Sequence, residues 1–223
     1  MRRLATASSQ SPWPASRSGE ASVRVAAVVL LGVRSTAHAV LNVVEHQRRE
    51  AAGLGAVTDP ALLDRLLDLP VAVPVIDPVI WAEMVGQPLG IIERGNDVVS
   101  VRRLMRPPLT IKDVVVHAPV GKEVRAVQDA SLFAGYARRW VTMTRRRMPD
   151  AILLEAKLCG VGILDPHHGM LLPAEDPVAM TTDGWSWLLQ EKVYRRWLSR
   201  RPRDRASESR PQATGGASAV RAV

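Results

Sequence analysis

The stretch MPDAILLEAKLCGVGILD, residues 148–165, contains Asp150, Glu155 and Lys157. These are the residue types of a metal-dependent phosphodiester hydrolase. Carboxylates hold a divalent ion, which neutralises the phosphate and activates water. Such a site needs its Glu and Lys two apart on a strand, where alternation aims both at one metal. It also needs an Asp brought from a preceding strand across a turn. Here, however, Pro149-Asp150 is a helix start, and ILLEAKL is rich in strong helix formers. At about 100° per residue, Glu155 and Lys157 stand roughly 200° apart around a helix and face opposite ways. The four residues between Asp150 and Glu155 are too few for a strand, a turn and a second strand. The letters spell the motif without building it.

Other candidates are simpler. Asp165-Pro166-His167-His168-Gly169 offers two imidazoles, but neighbours in a turn seldom converge on a metal without a third ligand. Asp-Pro and Gly mark it as a tight solvated turn. The single cysteine, Cys159, excludes an intrachain disulfide and lies in an apolar run. It reads as a buried, inert thiol in a reducing, cytoplasmic setting. Arg102, Arg103 and Arg106 precede a strand, and Arg138, Arg139, Arg145, Arg146 and Arg147 flank the next one. Guanidinium groups so placed can grip phosphates whatever the base sequence. No Gly-rich phosphate loop, serine elbow, zinc-finger spacing or internal repeat is present, and nothing in the chain names a cofactor.

The charge distribution points the same way. The net charge is +8, with +3 in residues 1–24 and +6 in residues 195–223, which leaves 8 − 3 − 6 = −1 between them. Within that centre, residues 94–147 carry twelve Lys or Arg against four acids, and the segments on either side are acidic. A basic block between acidic flanks fits either a polyanion-binding face or an ordinary solvated surface.

Hydrophobic residues make up 47% of the 223-residue chain, enough for a buried core. Residues 1–34 read as a disordered or signal-like extension, 35–70 as a helical region, 71–200 as an α/β domain, and 201–223 as a disordered basic tail. The segment 23–39 has arginines, an apolar run and Ala37-His38-Ala39, the layout of an export signal. Its apolar run is far short of the roughly 20 residues that span a membrane, and no membrane association is expected.

Within the α/β part, helices are expected over 35–52, stopped by Gly53, and from Asp59-Pro60 to Pro70. VAVPVI (71–76) is strand-like, and Pro74 confines it to a sheet edge. LGIIE and VVSVRRL form a hairpin across Arg94-Gly95-Asn96-Asp97. IKDVVVHA (111–118), WVTMT (140–144) and GVGILD are further strands. Helices fall at 121–139, with Val124, Val127, Leu132, Phe133 and Tyr136 on one face, and at 149–158. Asp183 caps a last helix. Residues 90–173 are expected to form a single mixed sheet with helices 121–139 and 149–158 packed on it.

The succession KEVRAVQDASLFAGYARRW, VTMTRRRMPDAILLEAKL, CGVGILDPHHGMLLP resembles the back half of restriction-endonuclease-like nuclease domains. The resemblance covers roughly residues 121–173 and includes Gln128 and Tyr136 after the strand that is catalytic in that superfamily. It implies an α/β fold with a mixed β-sheet flanked by helices, and DNA as the partner. The catalytic strand departs from the pattern: it reads DVVVHAPV, with His117 where an acid is expected. Asp97 and Asp113 are the nearest acids, and each also suits a turn or a strand end. The resemblance therefore implies a nucleic-acid-binding, nuclease-like domain that is catalytically degenerate. Two alternatives stand beside it. One is a winged-helix-like DNA-binding regulator, built from helices 35–52 and 59–69 with the 89–104 hairpin as wing. The other is an interaction protein without a nucleic-acid role.

Overall fold

The computed structural model describes residues 21–88, 90–95, 100–143, 148–166, 168–177 and 183–200. Its first element overturns an expectation. β1 (Ser22–Leu30) and β2 (Val33–Leu41) form an antiparallel hairpin. The hairpin turns at Leu31 (φ 48°) and Gly32 (φ 80°), the double positive φ of a type I′ loop. The helix expected over 35–52 therefore begins only at α1 (Val43–Ala51). The period of two explains why: Val33, Ser35, Ala37 and Ala39 point into the protein, with Arg34, Thr36, His38 and Val40 alternating between them. The signal-like segment 23–39 is likewise a part of this sheet, with Ala37 and Ala39 in the core, and the boundary drawn at residue 34 falls inside β2.

α2 (Pro60–Asp68) starts as expected, with the Asp59 carboxylate accepting from the Ala61 and Leu62 amides. Asp77-Pro78 repeats that device for α3 (Pro78–Met84), which was not anticipated. β3 (Pro74–Ile76), β4 (Ile92–Arg94) and β5 (Ser100–Arg103) form a separate sheet in the order β3-β5-β4, with Pro74 on an edge strand. The single sheet expected over 90–173 is thus two. Ile92 and Val101 belong to a second apolar core with Leu63, Leu66, Met84 and Trp187, away from the main one.

The main sheet adds β6 (Leu109–Ala118), β7 (Arg138–Met143), β8 (Gly162–Asp165) and β9 (Gly169–Leu172), in the order β1-β2-β6-β7-β8-β9. β6, β7 and β8 are parallel, joined through α4 (Glu123–Ser131) and α5 (Asp150–Leu158), and β2 and β9 run antiparallel to their neighbours. The fold is mixed α/β, with helices on the sheet. α4 is shorter than the expected 121–139, because β7 must already pair Arg138 with Asp113. Its buried stripe is Ala126, Val127 and Ala130, whereas Val124 and Leu132 are 43% and 51% exposed, and Tyr136 lies beyond its end.

α6 (Gly184–Leu198) is capped by Asp183, whose side chain accepts from the Ser186 amide at 2.6 Å. It ties the two cores together: Trp187 and Leu188 enter the second, and Leu189, Val193 and Tyr194 enter the main one. Among the described residues, no helix is long and apolar enough to cross a membrane.

Candidate functional site

Strand alternation divides the main sheet. Val25, Ala37, Val114, Val116, Val141 and Ile163 lie in one core with side chains of α4, α5 and α6. By register, the opposite face carries Thr36 and His38 of β2, Asp113, Val115 and His117 of β6, and Arg138, Trp140 and Thr142 of β7. On that face, the site expected of a nuclease-like strand can be compared with what is there.

Asp113, 6% exposed, sits opposite His38 on β2 and opposite Arg138 on β7. It is mid-strand, not at a strand end. Arg138 grips it with a fork: Nε lies 2.8 Å from Oδ1 and Nη2 3.1 Å from Oδ2. Trp140 donates Nε1–H to Oδ1 at 2.9 Å. A bidentate guanidinium plus an indole occupies both carboxylate oxygens, and a cation can approach only by displacing Arg138. Gly162, across β8, exists to admit Trp140: a Cβ there would meet the indole ring and lie 2.7 Å from the Ala174 backbone nitrogen.

His117 lies at the rim of the same face. Its Nδ1 is 2.7 Å from the Thr142 hydroxyl and its Nε2 is 3.1 Å from the Thr36 hydroxyl. The surrounding protein, and after it the Arg24 charge, hold its pKa below the ordinary histidine value. His38 is also held down, chiefly by burial and also by Arg24, with Asp113 pulling it the other way. Both rings are therefore biased to the neutral form. A neutral imidazole between two hydroxyls can pass a proton from one to the other, but the carboxylate on this face, Asp113, is already occupied by Arg138 and Trp140. Among the described residues, no group of three or more His, Cys, Asp or Glu is placed to hold a metal.

Glu155 and Lys157 stand on α5, a helix, as the residue types there required. At the 165–169 turn the Asp165 carboxylate accepts from the His168 amide at 3.0 Å, and His167 falls outside the described residues. Cys159 is half-buried at the end of α5. Asp97 also lies outside the described residues.

The five described arginines among the eight proposed for phosphate contact do not share one face. Arg138 and Arg139 are neighbours in β7, not flanks of it, and point to opposite sides of the sheet. Arg138 is bound to Asp113, and Arg139, 5% exposed, donates to the Gly160 carbonyl at 3.0 Å. Arg102 pairs with Glu93 across the small sheet. Arg103 lies over the Trp187 ring at 5.6 Å and donates to the Leu66 carbonyl. Of the described candidates, Arg106 is exposed, with its carbonyl bonded to Arg49. Arg145, Arg146 and Arg147 fall outside the described residues.

Two charge clusters escaped the sequence reading. The first is buried. Arg49 of α1, 0% exposed, donates to Glu191 of α6 through Nη1 (2.9 Å) and Nη2 (2.7 Å) and to Glu45 through Nε (2.7 Å). It also donates to the Arg106 carbonyl at 2.8 Å and the Gly55 carbonyl at 3.4 Å, so every guanidinium nitrogen is engaged. Glu191 receives donors on both oxygens, from Arg49, the Val57 amide (2.9 Å) and Trp187 Nε1 (3.0 Å). Burial raises the pKa of Glu191, while the hydrogen bonds and charge of Arg49, then the Val57 amide and the Trp187 indole, pull it down. Four inward-pointing N–H groups leave no acceptor for a carboxyl proton, which favours the ionised form. Burial opposes the charge on Arg49, but hydrogen bonds and charge from Glu191, then Glu45, raise its pKa. The second cluster lies on α6, where Lys192, Arg195 and Arg196 follow one another at helical spacing.

No protein-family model matches the chain, and neither a curated protein nor a solved structure does.

Proposed function

We propose that the chain is a nucleic-acid-binding protein built on a restriction-endonuclease-like domain that is catalytically degenerate. The observation that carries this reading is the run β6–α4–β7–α5–β8, three parallel strands of one sheet linked through helices packed on it. That is the arrangement the resemblance over residues 121–173 requires. Where such a domain needs a metal-binding pair of carboxylates, this sheet face presents the Arg138–Asp113 fork and the Thr36–His117–Thr142 bridge. A carboxylate already neutralised by a guanidinium does not draw a divalent ion. The winged-helix reading loses support, because half of its first helix is the strand β2.

The test is titration of the full chain against labelled duplex DNA over a salt series, beside a cleavage assay with magnesium and with manganese. Binding should fall by orders of magnitude between about 50 and 200 mM salt, as phosphate contacts release counterions. Supercoiled, linear and single-stranded DNA should remain intact. Absence of binding at the lowest salt would leave an interaction role without nucleic acid. Cleavage that disappears in Asp113→Ala would restore a working site on β6.

A further inference from the structure

α6 carries Lys192, Arg195, Arg196 and Ser199 at i, i+3, i+4 and i+7, a single stripe along the helix. This stripe lines a cavity of about 450 Å³ whose other wall is the edge strand β1 at Ala27, Val28 and Val29. Among the described residues, no carboxylate lines it and none of the three cations forms an ion pair. The Nε of Arg196 is buried without a hydrogen-bond partner, as are those of Arg94, Arg103 and Arg139 elsewhere in the fold. A buried N–H donor left without an acceptor is costly to the folded state, and like charges at i, i+3 and i+4 repel. Helix-end electrostatics favours cations in the last turn, which accounts for Arg195 and Arg196 but not for Lys192, a turn earlier.

The strand wall is irregular at the same place. The ladder between β1 and β2 slips between Val25 and Val28, and Ala27 adopts φ 53°, a left-handed conformation costly for a residue with a Cβ. Strain in an edge strand, three unpaired cations and an orphaned donor converge on one cleft. We propose that this cleft binds the sugar–phosphate backbone of nucleic acid, with Lys192, Arg195 and Arg196 on its phosphates. The proposal rests on the nucleic-acid reading above and moves its contact surface from the 94–147 block to α6. A polyanion is favoured over a small phosphate by the geometry of the stripe. Lys192 and Arg196 are about 6 Å apart along the helix axis, enough to meet more than one phosphate of a strand.

The test compares the full chain with Lys192→Gln/Arg195→Gln/Arg196→Gln, and with Arg65→Gln as control, in duplex-DNA titrations over a salt series. Thermal melts establish that the triple variant is folded, and Arg196→Lys serves as a milder probe that keeps charge and loses Nε. Losing three phosphate contacts should lower the slope of log K against log salt by about 2.7 and weaken binding at least tenfold near 0.1 M salt. Arg65→Gln should leave both unchanged. If the wild type binds and the triple variant binds with the same slope, the cleft is not the contact surface, though the nucleic-acid reading survives. If the wild type does not bind DNA at low salt, that reading fails, and the present proposal with it. Inorganic phosphate saturating the cleft without DNA binding would overturn the proposal in favour of a small phosphorylated ligand.

Discussion

Replacing Arg49 by Met tests whether the buried ion cluster holds α6 against α1. Methionine preserves much of the apolar stem but removes the guanidinium. Glu45 keeps a partner, because Arg48 holds both its oxygens at 2.7 and 2.8 Å. Glu191 does not: at 0% exposure, its only charged partner is gone, and only the Val57 amide and the Trp187 indole remain. Breaking a buried pair from one side costs about 3–5 kcal/mol, against a total stability of roughly 5–15 kcal/mol for an ordinary domain. Unfolding in urea, followed by far-UV circular dichroism, should therefore show a midpoint far below the wild type.

The companion variant Arg49→Met/Glu191→Gln removes the stranded charge, and the Gln carbonyl oxygen keeps an acceptor for one of the two donors, Val57 or Trp187, which bind different oxygens of Glu191. It should be more stable than Arg49→Met, and a double-mutant cycle completed with Glu191→Gln should show a coupling of about 2–3 kcal/mol. Added salt should change the coupling little, because neither group meets solvent. A single variant that loses less than about 1 kcal/mol, or a double variant no better than the single, would refute the assignment of Glu191 as an ionised buried group.

Three further outcomes follow from the sheet face. His38 and His117 have folded pKa values below the unfolded 6.5, so the unfolded chain binds more protons between the two values. Their contribution to stability is complete above pH 6.5 and declines as pH falls below it; melting temperatures across pH 5 to 7.5 should slope upward, and His38→Asn/His117→Asn should flatten that slope. Gly162→Ala forces a Cβ against the Trp140 ring and the Ala174 backbone, and should cost about 1–3 kcal/mol in urea melts; a neutral result would mean that the indole moves freely. Asp113→Asn weakens the fork with Arg138 and should cost about 1–2 kcal/mol, less than a fully buried pair because Arg138 is partly solvated, with DNA affinity unchanged. A large change in DNA binding in that variant would place the contact surface on this face and away from α6.

Legibility varied with the kind of signal each segment carries. Asp59-Pro60 and Asp183 announce helices through capping carboxylates, and Pro149-Asp150 through a proline followed by a first-turn acid, and the helices start there. The β-branched runs of β6 and β8 are similarly plain. The hairpin of β1 and β2 was hidden because its alternation uses alanine, a helix former, and because arginines before an apolar run mimic an export signal. Its marker was Gly32, which permits the positive φ of a two-residue loop. α4 was overextended for want of a stop signal: its end is set by the need of β7 to lie beside β6, a tertiary demand. The three cations of the α6 stripe straddle a change in composition: Lys192 belongs to an acidic segment, and Arg195 and Arg196 begin the basic tail. Helical spacing across that boundary would have joined them.

What separates the basic residues of this chain is the partner each one meets, which composition does not record. Arg49 is enclosed by Glu45, Glu191 and carbonyl oxygens, and so serves the packing of α6 on α1. Arg138 is closed by Asp113, and in closing it removes the one carboxylate on β6 that a metal could have used. Arg102 faces Glu93, and Arg139 is committed to the Gly160 carbonyl. Arg49, Arg138 and Arg102 already have in the folded chain the acceptor that a phosphate would otherwise supply, and Arg139, whose Nε has no partner, is only 5% exposed, so binding at any of them would first have to break a native contact or open the sheet. Among the described residues, Lys192, Arg195 and Arg196 face no acid, and Arg196 holds a buried donor without a partner. A phosphate entering that cleft gains three charge-assisted contacts and breaks no ion pair. For a polyanion, whose affinity is set by the number of phosphates it can neutralise, that difference makes α6 the favoured surface even though the 94–147 block carries the larger charge.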